Sequence, residues 1–508
     1  MKKQEITIIL IIILGITVSL IQFLYNRSLW IDEAMLALNI INKDACDLLK
    51  PLDYGQIAPI LFLQAEKLFS TLWPNTEYGL RLFPLLCFWA SIFLFHRIVR
   101  KLVSDLYAKI VAISFFALGY VFIYYSNEVK QYMADVFVLL SMFSTVLHTY
   151  KSEVKKYCIL AVTGAIAVFL SNVAPIILFT CGVYLFYNEF FVTKRKRIIP
   201  LLTVAVTWLG AFLFYYCFFI YGHPSENAMV DYWSGKWGFL PSNPFTVDFY
   251  KFLAVLSARL SAPLFFADYE NRWMSGFAVC SMMFLFITGI VKLIGNKQIK
   301  TVIFTCTPLL LHVFLSAFQL YPCGGRLILY TIPGIITVCV SGFGYILNRI
   351  SLRLRMKQFK TVATAIVVSA VCLSLFSQFP QKRIEMKECI KYMQQNIGKS
   401  GNVYGFFSVL FVFQYYQEIG LVDNSVNWIN DRKTKLTDDE HPILSPEDFI
   451  DLYVVRDTEM RFHHKVWLLM NRYDQEEYIL GQIDSLGYKR MDELKSKNAS
   501  VYLYDFGE

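Results

Sequence analysis

The sequence predicts an all-α polytopic membrane bundle of about eleven helices followed by a small C-terminal α/β unit. Three observations carry that expectation. The 508 residues are 56% hydrophobic and 17% charged, with a mean hydropathy of +0.46, so the chain holds more apolar surface than one water-facing core can enclose. Its apolar residues come in long continuous runs rather than in the short alternating segments of a membrane barrel. Basic residues gather at the ends of alternate runs, as cytoplasmic loops require.

The runs place helices near 6–25, 80–97, 109–125, 133–149, 157–170, 173–190, 199–221, 274–294, 301–320, 327–347 and 360–378. The first is read as a retained span, because its apolar stretch is too long for a signal peptide and no small-residue cleavage site precedes Tyr25-Asn26-Arg27. Six basic clusters then fall on one side: Lys2-Lys3; Arg97, Arg100, Lys101 and Lys109; Lys151, Lys155 and Lys156; Lys194 to Arg197; Lys297 and Lys300; and Arg349 to Lys360. That side is cytoplasmic if the N-terminus is. Counting residues 251–268 as a further span would break this agreement, so the segment is read as an amphipathic helix at the outer interface. The outer face is then expected to hold the loops 26–79 and 222–273, the turn Ser126 to Lys130, and everything after Phe379.

Two domains follow: residues 1–379 in the membrane and residues 380–508 as an extracytoplasmic α/β domain. In the second, apolar runs shorten to strand length at Asn402 to Phe407, Phe449 to Val455, Lys465 to Met470 and Ser500 to Asp505. Helical patterns lie between them at Lys387 to Ile397 and Glu476 to Ser485. The net charge of +9 is accounted for by loop topology and anionic headgroups, so no nucleic-acid partner is expected. Eleven cysteines are scattered singly, mostly in apolar runs, which fits small core residues and supports neither a disulfide framework nor a zinc site.

Against this apolar background the carboxylates at the lip of the bilayer stand out. Asp32 and Glu33 follow the first span, and Glu128 ends another. Acidic groups at that depth are costly, which points to catalysis or ion binding rather than packing. Arg326 follows the turn Pro322-Cys323-Gly324-Gly325 at the start of an apolar span, where a guanidinium and a helix N-terminus can face one anion. Trp233 and Trp237, in an aromatic loop, fit either sugar or isoprenoid contact or anchoring at headgroup depth. The pair His463-His464 is a poor metal site, since adjacent histidines seldom face one ion.

In order along the chain come Trp30-Ile31-Asp32-Glu33-Ala34, then Gln56 to Leu61, Arg81 to Pro84, Ser126 to Tyr132, and Tyr321 to Arg326. This order resembles the GT-C superfamily of polyprenyl-phosphate-sugar-dependent glycosyltransferases. Its relatives include protein O-mannosyltransferases, lipid A aminoarabinose transferases and lipopolysaccharide glycosyltransferases of the family 39 and 83 type. The resemblance covers the membrane region; the C-terminal domain matches loosely. It implies a GT-C-like fold and transfer of one sugar, with inversion, from a polyprenyl-phosphate donor to a glycan, lipid or protein acceptor at the outer face of a bacterial cytoplasmic (inner) membrane.

The resemblance also assigns expectations to residues. Asp32 or Glu33 is the general base, Glu128 takes the second acidic position, and Lys130 stands where many relatives have Arg, which loses the bidentate fork. Arg326, Arg81, Lys130, Tyr132, Trp233 and Trp237 are expected on the substrate, with the lipid phosphate at Arg326. Tyr54 and Gln56 replace a run that in relatives often carries His. A divalent cation stays open, because some relatives use one and Asp32, Glu33 and Glu128 offer hard oxygen ligands. A multispan transporter or lipid flippase is the rival class; the absence of a visible repeat and the gathering of acids at one face speak against it.

Overall fold

In the computed structural model, the described residues are 3–224, 226–265, 272–356, 358–396, 401–423, 426–428, 464–472 and 474–507. The strand expected at Phe449 to Val455, His463 and residues 266–271 lie outside them. Each of the eleven expected spans coincides with helix. These are α1 (Lys3–Tyr25), α4 (Glu77–Leu102), α5 with α6 (Leu106–Ala117 and Tyr120–Tyr125), α7 (Tyr132–Val146), α8 (Glu153–Leu170), α9 (Ala174–Tyr187), α10 (Ile198–Tyr215), α13 (Arg272–Gly295), α14 (Ile299–Ala317), α15 (Ile332–Leu354) and α16 (Gln358–Ser377). Between them lie α2 (Ile31–Asn42), α3 (Ile60–Leu72), α11 (Glu226–Ser234) and α12 (Val247–Phe265).

The count of spans is smaller than the count of helices. Among the described residues, nine helices are long and apolar enough to cross a membrane, and α7 and α8 are not among them. Glu153, Lys155 and Lys156 open α8 and leave residues 157–170, roughly 21 Å of helix against a hydrocarbon core of about 30 Å. The 15 residues of α7 fall short for the same reason.

Small residues let the bundle close. A Cβ on Gly289 of α13 would run into the Val338 carbonyl of α15, and one on Gly342 of α15 into the Leu285 carbonyl of α13, the close approach that glycine permits between membrane helices. Helix α12 turns Phe252, Leu256, Leu260 and Leu264 inward at a spacing of four while Tyr250 and Leu253 stay exposed. This is the one-sided pattern expected of the 251–268 segment, and the helix is not among the candidate spans.

After α16 come α17 (Met386–Asn396), α18 (Phe407–Glu418) and α19 (Glu476–Ser485). They pack with β1 (Asn402–Gly405), β2 (Asn427–Trp428), β3 (Lys465–Asn471), β4 (Lys489–Ser496) and β5 (Ala499–Asp505), a mixed sheet in the order β2-β1-β3-β5-β4. β1 is parallel to β2 and β3, and β5 is antiparallel to β3 and β4. The sequence reading passed over β4, whose Lys489, Arg490, Asp492, Glu493 and Lys495 carry no apolar run. It is an edge strand, where charge blocks unwanted pairing. Met386, Cys389 and Ile390 of α17 and Tyr416 of α18 lie in one continuous apolar core with residues of α1, α2, α4 and α5.

Candidate functional site

The ends of α1, α6 and α16 and the starts of α4, α7 and α15 meet at one end of the bundle. Hydrogen bonds tie these ends together: Asn26 to Glu77 at 3.0 Å, Trp30 to Glu128 at 2.7 Å and Gln22 to Gln381 at 3.0 Å. Extended backbone at Trp30 (φ −103°, ψ 167°) starts α2, with Asp32 and Glu33 in its first turn. Carboxylates are favoured there by the helix dipole. Adjacent residues on a helix point about 100° apart, so the two enter different surroundings.

Asp32 is the more exposed of the two. One carboxylate oxygen accepts from Lys130 Nζ at 2.8 Å and the other from Arg326 Nη1 at 2.6 Å. Lys130 also donates to Gln56 Oε1 at 2.6 Å. The Asp32 side chain keeps 19% of its surface exposed. Burial alone would raise its pKa, but Lys130 and then Arg326 hold it well below the usual carboxylate range.

Glu33 is sealed, with 0% exposure. It accepts from Arg27 at 2.9 Å, from Arg81 at 3.1 Å and from the Val129 amide at 3.0 Å. Burial pushes its pKa up, and the two guanidiniums and the amide outweigh that and keep it low. Arg81, expected on the substrate, is enclosed with it: its remaining bonds go to the Arg27 carbonyl at 2.7 Å, Asn26 Oδ1 at 3.3 Å and the Ser28 carbonyl at 3.4 Å. The physical reason is charge balance, since a buried carboxylate needs a buried cation.

Glu128 is also fully covered. It accepts from Trp30 Nε1 at 2.7 Å and lies 3.4 Å from Arg383. Its burial, reinforced by the nearby charge of Glu33, raises its pKa despite Arg383 and Arg27. Arg326 sits in a turn before the short 3-10 segment Leu329–Thr331, and α15 begins after it with Pro333 in its first turn. The expected direct start of a helix at Arg326 is therefore displaced by several residues. The guanidinium lies 5.4 Å from the Trp30 ring, 5.7 Å from Tyr132 and 5.7 Å from Trp233.

Trp233 is held on Gly324, where any Cβ would strike its ring. Arg259 of α12 locks the two loops together, donating to the carbonyls of Lys236 at 2.7 Å, Trp237 at 2.9 Å and Cys323 at 2.8 Å. Trp237 does not join the cluster. Its φ of 55° turns the chain so that its ring faces Lys251 at 5.5 Å.

The structure thus brings Asp32, Lys130, Tyr132, Trp233 and Arg326 together, places Glu33 and Arg81 in a closed brace behind them, and leaves Trp237 aside. Sequence reasoning missed Arg27, Arg383 and the contact of Gln56. One signal was present: Arg27, Lys382 and Arg383 are cations just beyond spans on the side where the basic-loop pattern reads few. Among the described residues no group of three or more His, Cys, Asp or Glu side chains is arranged to hold a metal ion. His464 lies in the C-terminal unit, its carbonyl accepting from Phe506 N.

No family model matches the chain, and no curated protein matches it. Among solved structures, the chain is similar to ArnT from Cupriavidus metallidurans bound to undecaprenyl phosphate, at 12% identity with a TM-score of 0.49 over 97% of each chain. It is similar to the same protein in the apo state at 12% identity and a TM-score of 0.48, again over 97% of each chain.

Proposed function

We propose that the protein is an inverting membrane glycosyltransferase that moves one sugar from a polyprenyl-phosphate donor to a glycan, lipid or protein acceptor at the outer face of a bacterial cytoplasmic membrane. The observation that carries this reading is Asp32, a partly open carboxylate between Lys130 and Arg326. General base and phosphate partners stand side by side there.

Asp32 takes the proton of the acceptor nucleophile as the acceptor atom bonds to the anomeric carbon. The bond from that carbon to the phosphate oxygen breaks, and Lys130 and Arg326 neutralise the charge gathering on the leaving lipid phosphate. Before substrate arrives these cations hold Asp32 in its ionised form. A phosphate that draws them away makes the carboxylate a stronger base when it is needed. Tyr132 and Trp233, beside Arg326, offer aromatic faces to the sugar or the isoprenoid. Glu33 and Arg81 act as positioning residues behind α2, and Glu128 positions Trp30 through its indole bond.

The test is comparative. Cell-surface glycans and lipids from strains with and without the protein are expected to differ by one sugar. Purified protein is expected to transfer that sugar from a radiolabelled polyprenyl-phosphate donor in a single turnover. Absence of transfer from any such donor, together with solute or lipid movement in liposomes, would replace this reading with transport.

A further inference from the structure

The segment between α16 and α17 is laced across the end of the bundle. Gln381 and Gln22 exchange two hydrogen bonds, of 3.0 and 2.8 Å, and Gln381 Nε2 donates to the Tyr120 carbonyl at 3.0 Å. Two residues past Arg383, Glu385 accepts from Ser28 N at 3.4 Å. Lys387 N then donates to Ser28 Oγ at 2.7 Å, and its Nζ pairs with Glu77 at 2.6 Å. From the opposite side, the turn between β4 and β5 reaches in: Asn498 Nδ2 donates to the Arg383 carbonyl at 2.8 Å, and Glu385 N donates to the Lys497 carbonyl at 3.0 Å. The main chain at Arg383 is thereby pinned by both the bundle and the sheet.

That pinning delivers the Arg383 guanidinium onto the Trp30 ring, 3.2 Å from its centroid. Nη1 donates to Tyr124 Oη at 3.1 Å and to Glu128 at 3.4 Å. Among the described residues Nε and Nη2 have no partner, and the side chain stays 27% exposed. Arg326 behaves alike: one nitrogen is on Asp32 and, among the described residues, the rest are unpartnered, with its guanidinium at the same indole. Around Trp30, three cations (Lys130, Arg326 and Arg383) face two carboxylates, Asp32 and Glu128. The separate group of Arg27 and Arg81 on Glu33 has Glu77 and Glu385 beside it and adds no surplus. Like charges gathered at this density call for an anion, and a phosphate monoester carries about −1.5 to −2 at pH 7.

We propose that Arg383 is a second phosphate-contacting residue. Together with Arg326 it holds the phosphate of a phosphate-bearing lipid beside Trp30, so the C-terminal unit completes the binding site. The inference rests on the glycosyltransferase reading and adds to it. Two forked guanidiniums suit a phosphate better than Lys130 alone, which acts as a point charge.

The test is equilibrium binding of undecaprenyl phosphate to the full-length protein in detergent, with undecaprenol, which lacks the phosphate, as the comparison ligand. Arg383→Gln is expected to weaken binding of the phosphate about ten- to a hundredfold, the scale of losing charged hydrogen bonds. Binding of the alcohol should stay the same. Arg383→Lys, which keeps the charge against Glu128, should recover part of the loss. If Arg383→Gln fails to fold, Arg383→Lys decides, with about tenfold weaker binding expected from loss of the fork. Unchanged phosphate binding in the folded variant overturns the inference while leaving the glycosyltransferase reading in place. Equal weakening for both lipids also overturns it, because Arg383 then supports the fold alone. A wild-type protein that binds no undecaprenyl phosphate overturns both readings.

Discussion

Two ion clusters start from consecutive residues of α2 and differ in almost every physical respect. The Asp32 cluster keeps part of its surface exposed, and its cations come from two turns: a lysine before α7 and an arginine before α15. The Glu33 cluster is closed, with two arginines and a main-chain amide filling its hydrogen-bonding capacity. The same chemistry, carboxylate against cation, makes a site in one case and a brace in the other. What separates them is whether water and ligand can reach the pair.

The largest effect is expected from breaking the closed cluster. Glu33→Ala leaves Arg27 and Arg81 buried without a counter-charge, which costs about 3–5 kcal/mol. The expected outcome is a strong drop in thermal midpoint or loss of monodisperse protein, measured with the wild type in the same detergent. A stable, active Glu33→Ala protein would end the distinction between brace and site.

Asp32→Asn makes the converse case. It removes the proton acceptor but keeps size and polarity at a partly exposed position. Turnover is expected to fall about a hundredfold or more, with a smaller change in thermal midpoint than Glu33→Ala produces. Single-turnover transfer measured beside donor binding checks this, and full activity in Asp32→Asn would move the base elsewhere.

A third carboxylate sharpens the comparison with a smaller effect. Asp474 in the C-terminal unit is largely covered, with Ser408 Oγ donating to it at 2.7 Å and Asn471 N at 2.6 Å. Burial therefore wins over these hydrogen bonds, and its pKa rises to about 6. Between the unfolded value of about 3.9 and about 6, the folded state holds more of the proton than the unfolded state does. Stability from this group thus declines as pH rises through that window and is flat above it. Asp474→Asn should flatten that slope in unfolding curves followed by Trp467 fluorescence. Asp32 and Glu33, both held low, contribute the opposite sign: their stability is present above the ordinary carboxylate range and fades only as pH falls below it.

The bundle was legible because a membrane allows few solutions. A lipid-facing helix needs a long unbroken apolar run, and such runs are visible in one dimension from Ile6 to Leu375. Asp32 and Arg326 were legible for the same reason, since ionisable residues at the ends of such runs are rare enough to notice. β4 was not legible, because an edge strand rich in Lys and Glu looks like a loop. The packing of α17 against the bundle was not legible either, since Cys389 and Ile390 join an apolar core with residues of α1 and α4 that are distant in the chain.

The sequence by itself determined the helices, the small mixed unit after them, and which residues could carry charge at the bundle's end, because hydrophobic length and charge are properties of the local chain. Only the tertiary structure decided that Asp32 is open while Glu33 is closed, that Arg81 turns inward, and that Arg383 returns to Trp30. Those outcomes depend on which cations, brought from distant segments, arrive at each carboxylate. Burial and Coulomb interaction act through space, at separations of about 3 Å, where distance along the chain has no influence.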